Sequence, residues 1–135
     1  MKQIEVVAAV IEKGDTILAT QRGSGKFQGM WEFPGGKIED GESHSTALIR
    51  EIKEELDSTI SVGDFITTVE FDYPEFHLTM HCYFCTTNDK IFLLEHSDAK
   101  WLKIDEFYQV NWLPADIDVV EKIVEIKKGT KVKLK

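Results

Sequence analysis

The chain has 135 residues, which suits a single domain over residues 1–135 and leaves little room for a second. Sixteen Lys and Arg residues against twenty-four Asp and Glu residues give a formal net charge of −8. This balance disfavours a protein that binds a nucleic-acid polymer, because contact with phosphates needs a basic face. No apolar run approaches the ~20 residues of a membrane span, and the N-terminus lacks the layout of a signal peptide. We therefore expect a cytoplasmic protein with no membrane partner.

Segments rich in β-branched and aromatic residues alternate with turn residues along most of the chain and predict strands. The predicted strands cover residues 4–11, 16–21, 31–33, 60–70, 76–86 and 101–104. The two long segments, 60–70 and 76–86, are expected to pair as a hairpin.

Two segments show the helical spacing of apolar residues. In residues 43–56, Ser43 is a residue type that favours an N-cap, and the apolar stripe consists of Ala47, Leu48, Ile52 and Leu56. In residues 116–127, the residues expected to point inward are Ile117, Val120, Ile123 and Val124. Strands interrupted by one central and one terminal helix predict an α/β fold, a mixed central sheet with helices on its faces.

Cys82 and Cys85 form a C-x-x-C pair, and His77 and His81 lie just upstream. Because alternate residues of a strand face opposite ways, Cys82 is expected on one face and the other three on the opposite face. The four side chains therefore cannot converge on one tetrahedral zinc ion. No helix begins after Cys82, as a thioredoxin-like redox pair would require. We expect two reduced, half-buried cysteines.

Acidic residues crowd one face of the first predicted helix. Glu51, Glu54 and Glu55 stand at positions i, i+3 and i+4, a spacing at which like charges repel. The preceding residues 34–36 and 40–42 contain glycines, which allow close backbone approach and a turn into the helix. Mg²⁺ prefers oxygen ligands and is held by carboxylates together with substrate phosphates. The pattern predicts a metal platform, whereas the carboxylates alone would also fit a solvated helix face.

The spacing of these residues resembles the signature of the Nudix hydrolases, G-x5-E-x7-R-E-U-x-E-E-x-G-U with U aliphatic. The matching positions are Gly36, Glu42, Arg50, Glu51, Ile52, Glu54 and Glu55. Two positions depart from the signature, since Asp57 stands where the family has Gly and Ser58 replaces the aliphatic residue. Asp tolerates the left-handed conformation that ends a helix, though less well than Gly. The departures concern the turn after the helix.

The resemblance implies a Nudix-like α/β/α sandwich and an enzyme that uses Mg²⁺, for which Mn²⁺ can substitute. It implies that Glu51, Glu54 and Glu55 bind the metal, completed by a backbone carbonyl of Gly35 or Gly36.

The resemblance also assigns supporting roles. Arg50 would orient the glutamates by salt bridging, and Glu42 would support the loop before the helix. The reaction would be attack of an activated water on a phosphorus of a nucleoside diphosphate linked to another group. The general base would be Glu51 or an acidic residue of a later loop. Glu95 resembles that later carboxylate, and its alternative is a solvated loop residue.

Residues 23–26, Gly-Ser-Gly-Lys, superficially match a phosphate-binding loop, but the pattern lacks its other required residues and no capped helix follows. We expect a loop on the substrate side of the enzyme, where Arg22 and Lys26 can reach phosphates. Each of these cations could equally be a solvated surface residue.

The resemblance extends to MutT-like members beyond the signature. Residues 31–36, Trp-Glu-Phe-Pro-Gly-Gly, are similar to the segment that precedes the signature in these enzymes. Asp116 looks like the Asn or Asp that they place against the base, although it could also be the N-cap of the last helix. Phe33 and Tyr73 are expected to line the base pocket, or else to be ordinary core aromatics.

The predicted function is Mg²⁺-dependent hydrolysis of a nucleoside triphosphate, an oxidised purine or a cytidine nucleotide, to the monophosphate and pyrophosphate. Such an enzyme would serve nucleotide-pool sanitation as a monomer or homodimer. The alternatives are a Nudix hydrolase of dinucleoside polyphosphates or ADP-ribose, and a catalytically inactive nucleotide sensor. Intact metal-binding carboxylates argue against the sensor.

Overall fold

The structure is a computed structural model that describes residues 1–132. The last three residues of the expected domain, 133–135, lie outside the described part. The strands are β1 (Lys2–Lys13), β2 (Thr16–Arg22), β3 (Trp31–Glu32), β4 (Gly35–Lys37), β5 (Ile60–Tyr73), β6 (Phe76–Thr87) and β7 (His96–Lys103). The helices are α1 (His44–Leu56), a 3₁₀ helix (Ile104–Gln109) and α2 (Pro114–Val132). Within residues 1–132, no helix has the length and apolarity needed to cross a membrane.

The strands form one mixed, seven-stranded sheet with the order β3-β2-β1-β6-β5 along its main path. Strands β1 and β6 pair in parallel over residues 2–12 and 76–86, and all other pairs are antiparallel. Strand β4 pairs with the middle of β1, at Val6, Val7 and Ala8, and β7 pairs with the outer side of β2. The predicted hairpin of β5 and β6 is confirmed, as is the mixed sheet.

Two hydrophobic cores cover the two faces of the sheet, which gives the predicted α/β/α sandwich. Helix α1 packs on one face through the predicted stripe of Ala47, Leu48, Ile52 and Leu56, all fully buried. Helix α2 packs on the other face through Ala115, Val119, Val120 and Ile123. The alternation of β6 sends Cys82 to the α2 side and Cys85 to the α1 side, and both are free thiols.

Several details of the predicted elements are wrong, among them the bounds of α2, which runs over Pro114–Val132 rather than residues 116–127. Strand β7 begins at His96, five positions before the predicted start at residue 101, because it pairs with β2 as far as Arg22. Ile117 is 42% exposed rather than inward, since Val119 takes the core position. Asp116 lies inside the first turn of α2, which begins at Pro114, and is therefore not the N-cap.

The start of helix α1 is capped as predicted, and at its other end Asp57 takes the place of the usual Gly. Ser43 caps the start by accepting a hydrogen bond from the Thr46 amide at 3.1 Å. Asp57 adopts the left-handed conformation, with φ of 50°, and its amide donates to the Lys53 carbonyl. The carboxylate of Asp57 also pairs with Lys53 at 2.9 Å. An Asp therefore fills the position for which Gly is the usual residue.

Residues 90–94 are held against the end of α1 by backbone hydrogen bonds. The amides of Phe92 and Leu94 donate to the carbonyls of Leu56 and Glu55 at 2.9 and 3.1 Å. The buried Ser58 hydroxyl, in place of an aliphatic side chain, donates to backbone carbonyls, one of them in residue 90. These contacts satisfy carbonyls that the helix end leaves unpaired.

Candidate active site

Helix α1 presents three carboxylates toward β4, the short strand that contains Gly35 and Gly36. Glu51 accepts a hydrogen bond from Arg50 Nη1 at 2.9 Å, and Glu54 accepts a longer one from the same nitrogen at 3.4 Å. Glu55 turns toward the glycines, where its Oε1 accepts from the Gly35 amide at 3.2 Å. The three carboxylates thus share one side of the helix, and each has a different hydrogen-bond environment.

Arg50 ties this helix face to the loop before it. Its Nε and Nη2 donate to the two carboxylate oxygens of Glu42 at 2.7 and 2.8 Å, and Nη2 also donates to the Lys37 carbonyl at 3.0 Å. The hydrogen bond from Arg50 lowers the pKa of Glu42 to about 2, and the same bond raises the pKa of Arg50. Arg50 therefore stays charged beside Glu51 and fixes the loop to the helix.

The carboxyl of Glu55 is costly to ionise where it lies. Burial, followed by the negative charges of Glu51, Glu32 and Glu95, raises the pKa of Glu55 to about 8. Burial also raises the pKa of Glu51, although Arg50 opposes the shift. Carboxylates that are desolvated and lie near other carboxylates favour a bound cation, because the cation offsets both penalties.

A side chain at Gly35 or Gly36 of β4 would meet neighbouring groups, the backbone in one case and a side chain in the other. A Cβ on Gly36 would collide with the carboxylate of Glu51, and a Cβ on Gly35 would collide with the backbone of Val7 in β1. The absence of both side chains lets the backbone of β4 lie against the helix carboxylates. The potential metal ligands gathered here are carboxylate and carbonyl oxygens, the ligand atoms that Mg²⁺ prefers. The residues therefore fit a bound Mg²⁺, although the three carboxylate groups do not all converge on one point in this structure.

Glu95 is exposed to solvent, and it lies beside these carboxylates. Together with Glu55, Glu32, Arg22 and His96 it lines a pocket of about 150 Å³. The negative charge of Glu95 contributes to the raised pKa values of both Glu51 and Glu55. The later-loop acid singled out in the sequence is thus brought to the helix carboxylates.

A larger cleft of about 240 Å³ adjoins this pocket. Its lining is mainly apolar and includes Phe33, Tyr73, Asp116, Arg22 and both glycines of the β4 turn. Arg22 and Glu32 line both cavities, so the apolar cleft and the acidic pocket meet at these two residues.

Asp116 supplies a buried polar group to the apolar cleft. Its Oδ2 accepts a hydrogen bond from the Phe33 amide at 2.9 Å, which connects α2 with the chain before the β4 turn. Burial raises the pKa of Asp116 to about 8, against a lowering effect of the Phe33 hydrogen bond. The carboxyl is thus largely protonated near neutral pH and can donate a hydrogen bond as well as accept one.

The two aromatic residues predicted for the base pocket are both buried and both line the cleft. Phe33 stacks on Trp112 with ring centroids 4.6 Å apart. The hydroxyl of Tyr73 accepts a hydrogen bond from the Ala115 amide at 3.1 Å, in the first turn of α2. The two rings are therefore held in fixed positions, so the walls of the cleft exist without a ligand.

The two predicted phosphate-binding cations behave differently. Arg22 is half exposed, and its Nε donates to Glu32 at 3.1 Å at the junction of the two cavities. Lys26 points elsewhere, since it pairs with the exposed Glu75 at 2.6 Å and does not line either cavity. The structure brings Arg22 to the site and leaves Lys26 at its periphery.

Two residues of the site were missed in the sequence. Glu32 contacts both Arg22 and His96, the latter at 3.3 Å. His96 is buried, and within residues 1–132 its Nδ1 has no hydrogen-bond partner. The only signal for Glu32 was its place in the Trp-Glu-Phe-Pro-Gly-Gly segment, whereas nothing local distinguished His96, which lies at the unpredicted start of β7.

Comparisons with known proteins agree with this geometry. The chain is similar to the CTP pyrophosphohydrolase of Escherichia coli, with 34% identity over 94% of this chain and 96% of that protein. It is 36% identical to the 8-oxo-dGTP diphosphatase of Proteus vulgaris, over 63% of this chain and 78% of the relative. A solution structure titled DNA mismatch repair protein MutT, from methicillin-resistant Staphylococcus aureus, superposes with a TM-score of 0.72 and 42% identity, over 91% of this chain and 97% of that one. The family model described as the NUDIX domain matches residues 1–123, and the chain belongs to this family.

Proposed function

We propose that the protein is a MutT-type nucleoside triphosphate pyrophosphohydrolase. It would hydrolyse a nucleoside triphosphate to the nucleoside monophosphate and pyrophosphate with Mg²⁺ as cofactor. The relatives named CTP pyrophosphohydrolase and 8-oxo-dGTP diphosphatase support this substrate class. Removal of damaged nucleotides from the cytoplasmic pool is the corresponding cellular role.

The observation that carries the proposal is the junction of the apolar cleft with the acidic pocket at Arg22 and Glu32. A nucleoside triphosphate has an apolar, hydrogen-bonding base at one end and a polyanion at the other. The cleft offers Phe33, Tyr73 and Asp116 to the base. The acidic pocket needs a cation before it can accept an anion, and Mg²⁺ supplies that cation.

The residues of the chain have distinct roles in this proposal. Glu51, Glu54 and Glu55 hold the metal with a carbonyl of Gly35 or Gly36, and Arg50 orients them. Arg22 donates hydrogen bonds to a phosphate, because in the described structure only its Nε has a partner. When bound, Mg²⁺ lowers the pKa of water and offsets phosphate charge. Lys26 is at most a peripheral contact to the phosphates, reached by release of Glu75.

Hydrolysis requires a group that takes a proton from the attacking water. Glu51 and Glu95 are the candidates, and Glu51→Gln and Glu95→Gln distinguish them. Glu51 is also a proposed metal ligand, so Glu51→Gln should change the metal dependence of the rate whichever acid is the base. Glu95→Gln should lose kcat with unchanged metal dependence if Glu95 is the base, and should change neither quantity if Glu51 is the base.

The decisive experiment measures pyrophosphate release by the full-length protein with 8-oxo-dGTP, dGTP, CTP, dCTP and 5-methyl-dCTP. A dinucleoside polyphosphate and ADP-ribose complete the panel. We expect kcat/KM for at least one triphosphate to exceed that for the last two by about a hundredfold or more. Preferred turnover of ADP-ribose or the dinucleotide would contradict the proposal, and no turnover of any compound would indicate a sensor. Glu55→Gln is the control for contaminating hydrolases.

A further inference from the structure

A second group of metal-ligand side chains lies at the N-terminal end of α1. It consists of Glu5 in β1, His44 at the first position of α1 and His81 in β6. One oxygen of Glu5 and one nitrogen of each imidazole all lie within 4.8 Å of one another. Among the described residues this is the only group of three or more such side chains that gathers so closely. His44 precedes Glu51 by about two helical turns, so the group is distinct from the proposed magnesium site.

The fold creates this group by bringing together three elements. The parallel register of β1 and β6 places Glu5 opposite Thr79, and His81 follows two residues later on the same face. Helix α1 packs over this face and begins beside His81. The rings of His44 and His81 stack with centroids 4.2 Å apart and planes inclined by 22°. His81 Nε2 lies 2.6 Å from Glu5 Oε2.

The second nitrogen of each imidazole is held by a hydroxyl group. His44 Nδ1 lies 2.7 Å from the Tyr83 hydroxyl, and His81 Nδ1 lies 2.8 Å from Thr68 Oγ1. A hydroxyl that accepts from Nδ1–H leaves Nε2 of a neutral imidazole unprotonated, which is the tautomer that binds a metal; at His81 a proton lies between Nε2 and Glu5 Oε2 and has to be displaced first. Histidines that bind metals almost always have such a partner on the other nitrogen, which fixes the ring and the tautomer. Both histidines thus have the arrangement of metal ligands.

We propose that Glu5, His44 and His81 bind one divalent transition-metal ion, for which Zn²⁺ is the best match. Two imidazoles and a carboxylate are a donor set typical of zinc, whereas Mg²⁺ prefers oxygen alone. Bonds of ~2.0–2.1 Å place tetrahedral ligands about 3.3 Å apart. The Glu5 side chain is 57% exposed, so it can rotate into place. The fourth position is open to water.

A metal ion at this position connects β1, β6 and the start of α1. The proton between His81 Nε2 and Glu5 must leave Nε2 when the metal binds: a neutral imidazole then carries its proton on Nδ1, which donates to Thr68 Oγ1, and a doubly protonated imidazole releases the Nε2 proton to solvent. The charge of Glu5 offsets part of the charge of the cation. The site adds a tertiary link to the helix that carries the proposed catalytic carboxylates, yet it shares no residue with them.

The test is a titration of the full chain with Zn²⁺, and with Co²⁺ as a visible probe, in the presence of millimolar Mg²⁺ that occupies the carboxylates of α1. We expect one equivalent to bind and to shift the imidazole NMR signals of His44 and His81. His81→Gln and His44→Gln should each weaken binding by about tenfold or more. The matched control is His77→Gln, since His77 lies on the same strand but hydrogen-bonds to Asp72 and Glu70; its affinity should equal that of the wild type.

Two outcomes would overturn the proposal. In the first, saturating Zn²⁺ does not shift the imidazole NMR signals of His44 and His81. In the second, His77→Gln and His81→Gln weaken Zn²⁺ binding equally. If either histidine variant fails to fold, as judged by circular dichroism, Glu5→Gln at the exposed rim provides the same comparison. Zn²⁺ should raise the melting temperature of the wild type and not that of Glu5→Gln, and an equal rise in both would also count against the site.

Discussion

The Asp116 carboxylate accepts a hydrogen bond from the Phe33 amide at 2.9 Å, and this single contact joins α2 to the chain that enters the glycine turn. The contact holds the Asp116 carboxyl in the apolar cleft, where burial raises the pKa of this group to about 8. The carboxyl is thus poised to change its charge close to neutral pH. Two measurements follow from this position, one on stability and one on base selectivity.

The first prediction concerns pH and stability. Asp116 has a pKa near 3.8 when unfolded and about 8 when folded, so between these values the native state binds the extra proton. Its contribution to the free energy of unfolding therefore falls as pH rises from about 4 to 8, by at most ~1.4 kcal/mol per pH unit. Asp116→Asn removes the effect, so its stability relative to the wild type should increase across this range.

The measurement is urea denaturation of both proteins at pH 5, 6, 7 and 8. Asp118→Asn is the matched control, because Asp118 is exposed on the same helix and should leave the pH dependence of the wild type unchanged. A constant difference between Asp116→Asn and the wild type at all four pH values would mean that the carboxyl of Asp116 is ionised in the folded protein at low pH.

The second prediction concerns base selectivity. The side-chain oxygen of an Asn at position 116 can still accept a hydrogen bond from the Phe33 amide. The remaining NH₂ group of Asn can only donate, whereas the hydroxyl of a protonated Asp can also accept. Asp116→Asn should therefore change the order of kcat/KM among 8-oxo-dGTP, dGTP, CTP and 5-methyl-dCTP. Asp116→Ser is too short to keep both contacts, and a lost hydrogen bond of ~1–3 kcal/mol should cost about five- to a hundredfold for the preferred nucleotide. Equal losses for all four nucleotides would show that Asp116 does not select the base.

The third prediction concerns the carboxylates of α1. Glu54→Gln and Glu55→Gln should each lower kcat by at least roughly a hundredfold, a barrier increase of ~2.7 kcal/mol. In the absence of metal, Glu55→Gln should raise the denaturation midpoint, because an amide accepts from the Gly35 amide without the cost of either ionising or protonating a carboxyl whose pKa is raised to about 8 on folding. Glu121→Gln, an exposed change on α2, is the control. Normal turnover of both variants, or full activity in excess chelator, would refute the metal-binding role.

The fourth prediction is that Gly35 and Gly36 of β4 have different roles, one in stability and the other in metal binding. Gly36→Ala directs a methyl group at the Glu51 carboxylate, the mobile end of a side chain, so the protein should fold but require more Mg²⁺ for half-maximal rate. Gly35→Ala directs it at the backbone of Val7, so the pairing of β4 with β1 should be lost and the melting temperature should fall. The same effect of both changes on stability and metal requirement would contradict this division.

The fifth prediction tests the packing of α1. Leu48 is fully buried, whereas its neighbour Ile49, about 100° further around the helix, is 42% exposed. Leu48→Ala should cost ~2–5 kcal/mol of unfolding free energy, as other large-to-small changes in cores do. Ile49→Ala should cost well under half as much in the same denaturation experiment. Similar costs for the two variants would mean that the helix buries a different face.

The sequence predicted those parts of the molecule that depend on local pattern. The capped helix from Ser43 to Leu56 and the β5–β6 hairpin follow from spacing and residue type within a short stretch, whereas the sequence left open how Asp57 and Ser58 would end the helix. The sequence placed the start of α2 at residue 116, because Asp is a residue type that favours an N-cap. The helix instead begins at Pro114, a residue type that also favours the start of a helix, and the Asp116 carboxyl accepts a hydrogen bond from the Phe33 amide.

The remaining errors concern long-range pairing. His96 joins β7 only because β2 lies beside it, and no periodicity in residues 96–100 signals a strand. Glu5 and His81 meet through the parallel pairing of β1 with β6, across 76 positions of sequence. Alternation along β6 correctly separated His81 from Cys82, yet it could not reveal which residues of other elements His81 would face.

The backbone hydrogen bonds between α1 and residues 90–94 have a consequence for how this chain tolerates change. The loop that leads to Glu95 is anchored through the amides of Phe92 and Leu94, not through their exposed side chains. Amino-acid replacements at these two positions should therefore preserve the path of the loop. Insertion of a single residue between Leu94 and Glu95 would instead break the fixed spacing between the anchored amides and the acid. The loop should therefore tolerate changes in the identity of these residues far better than changes in their number.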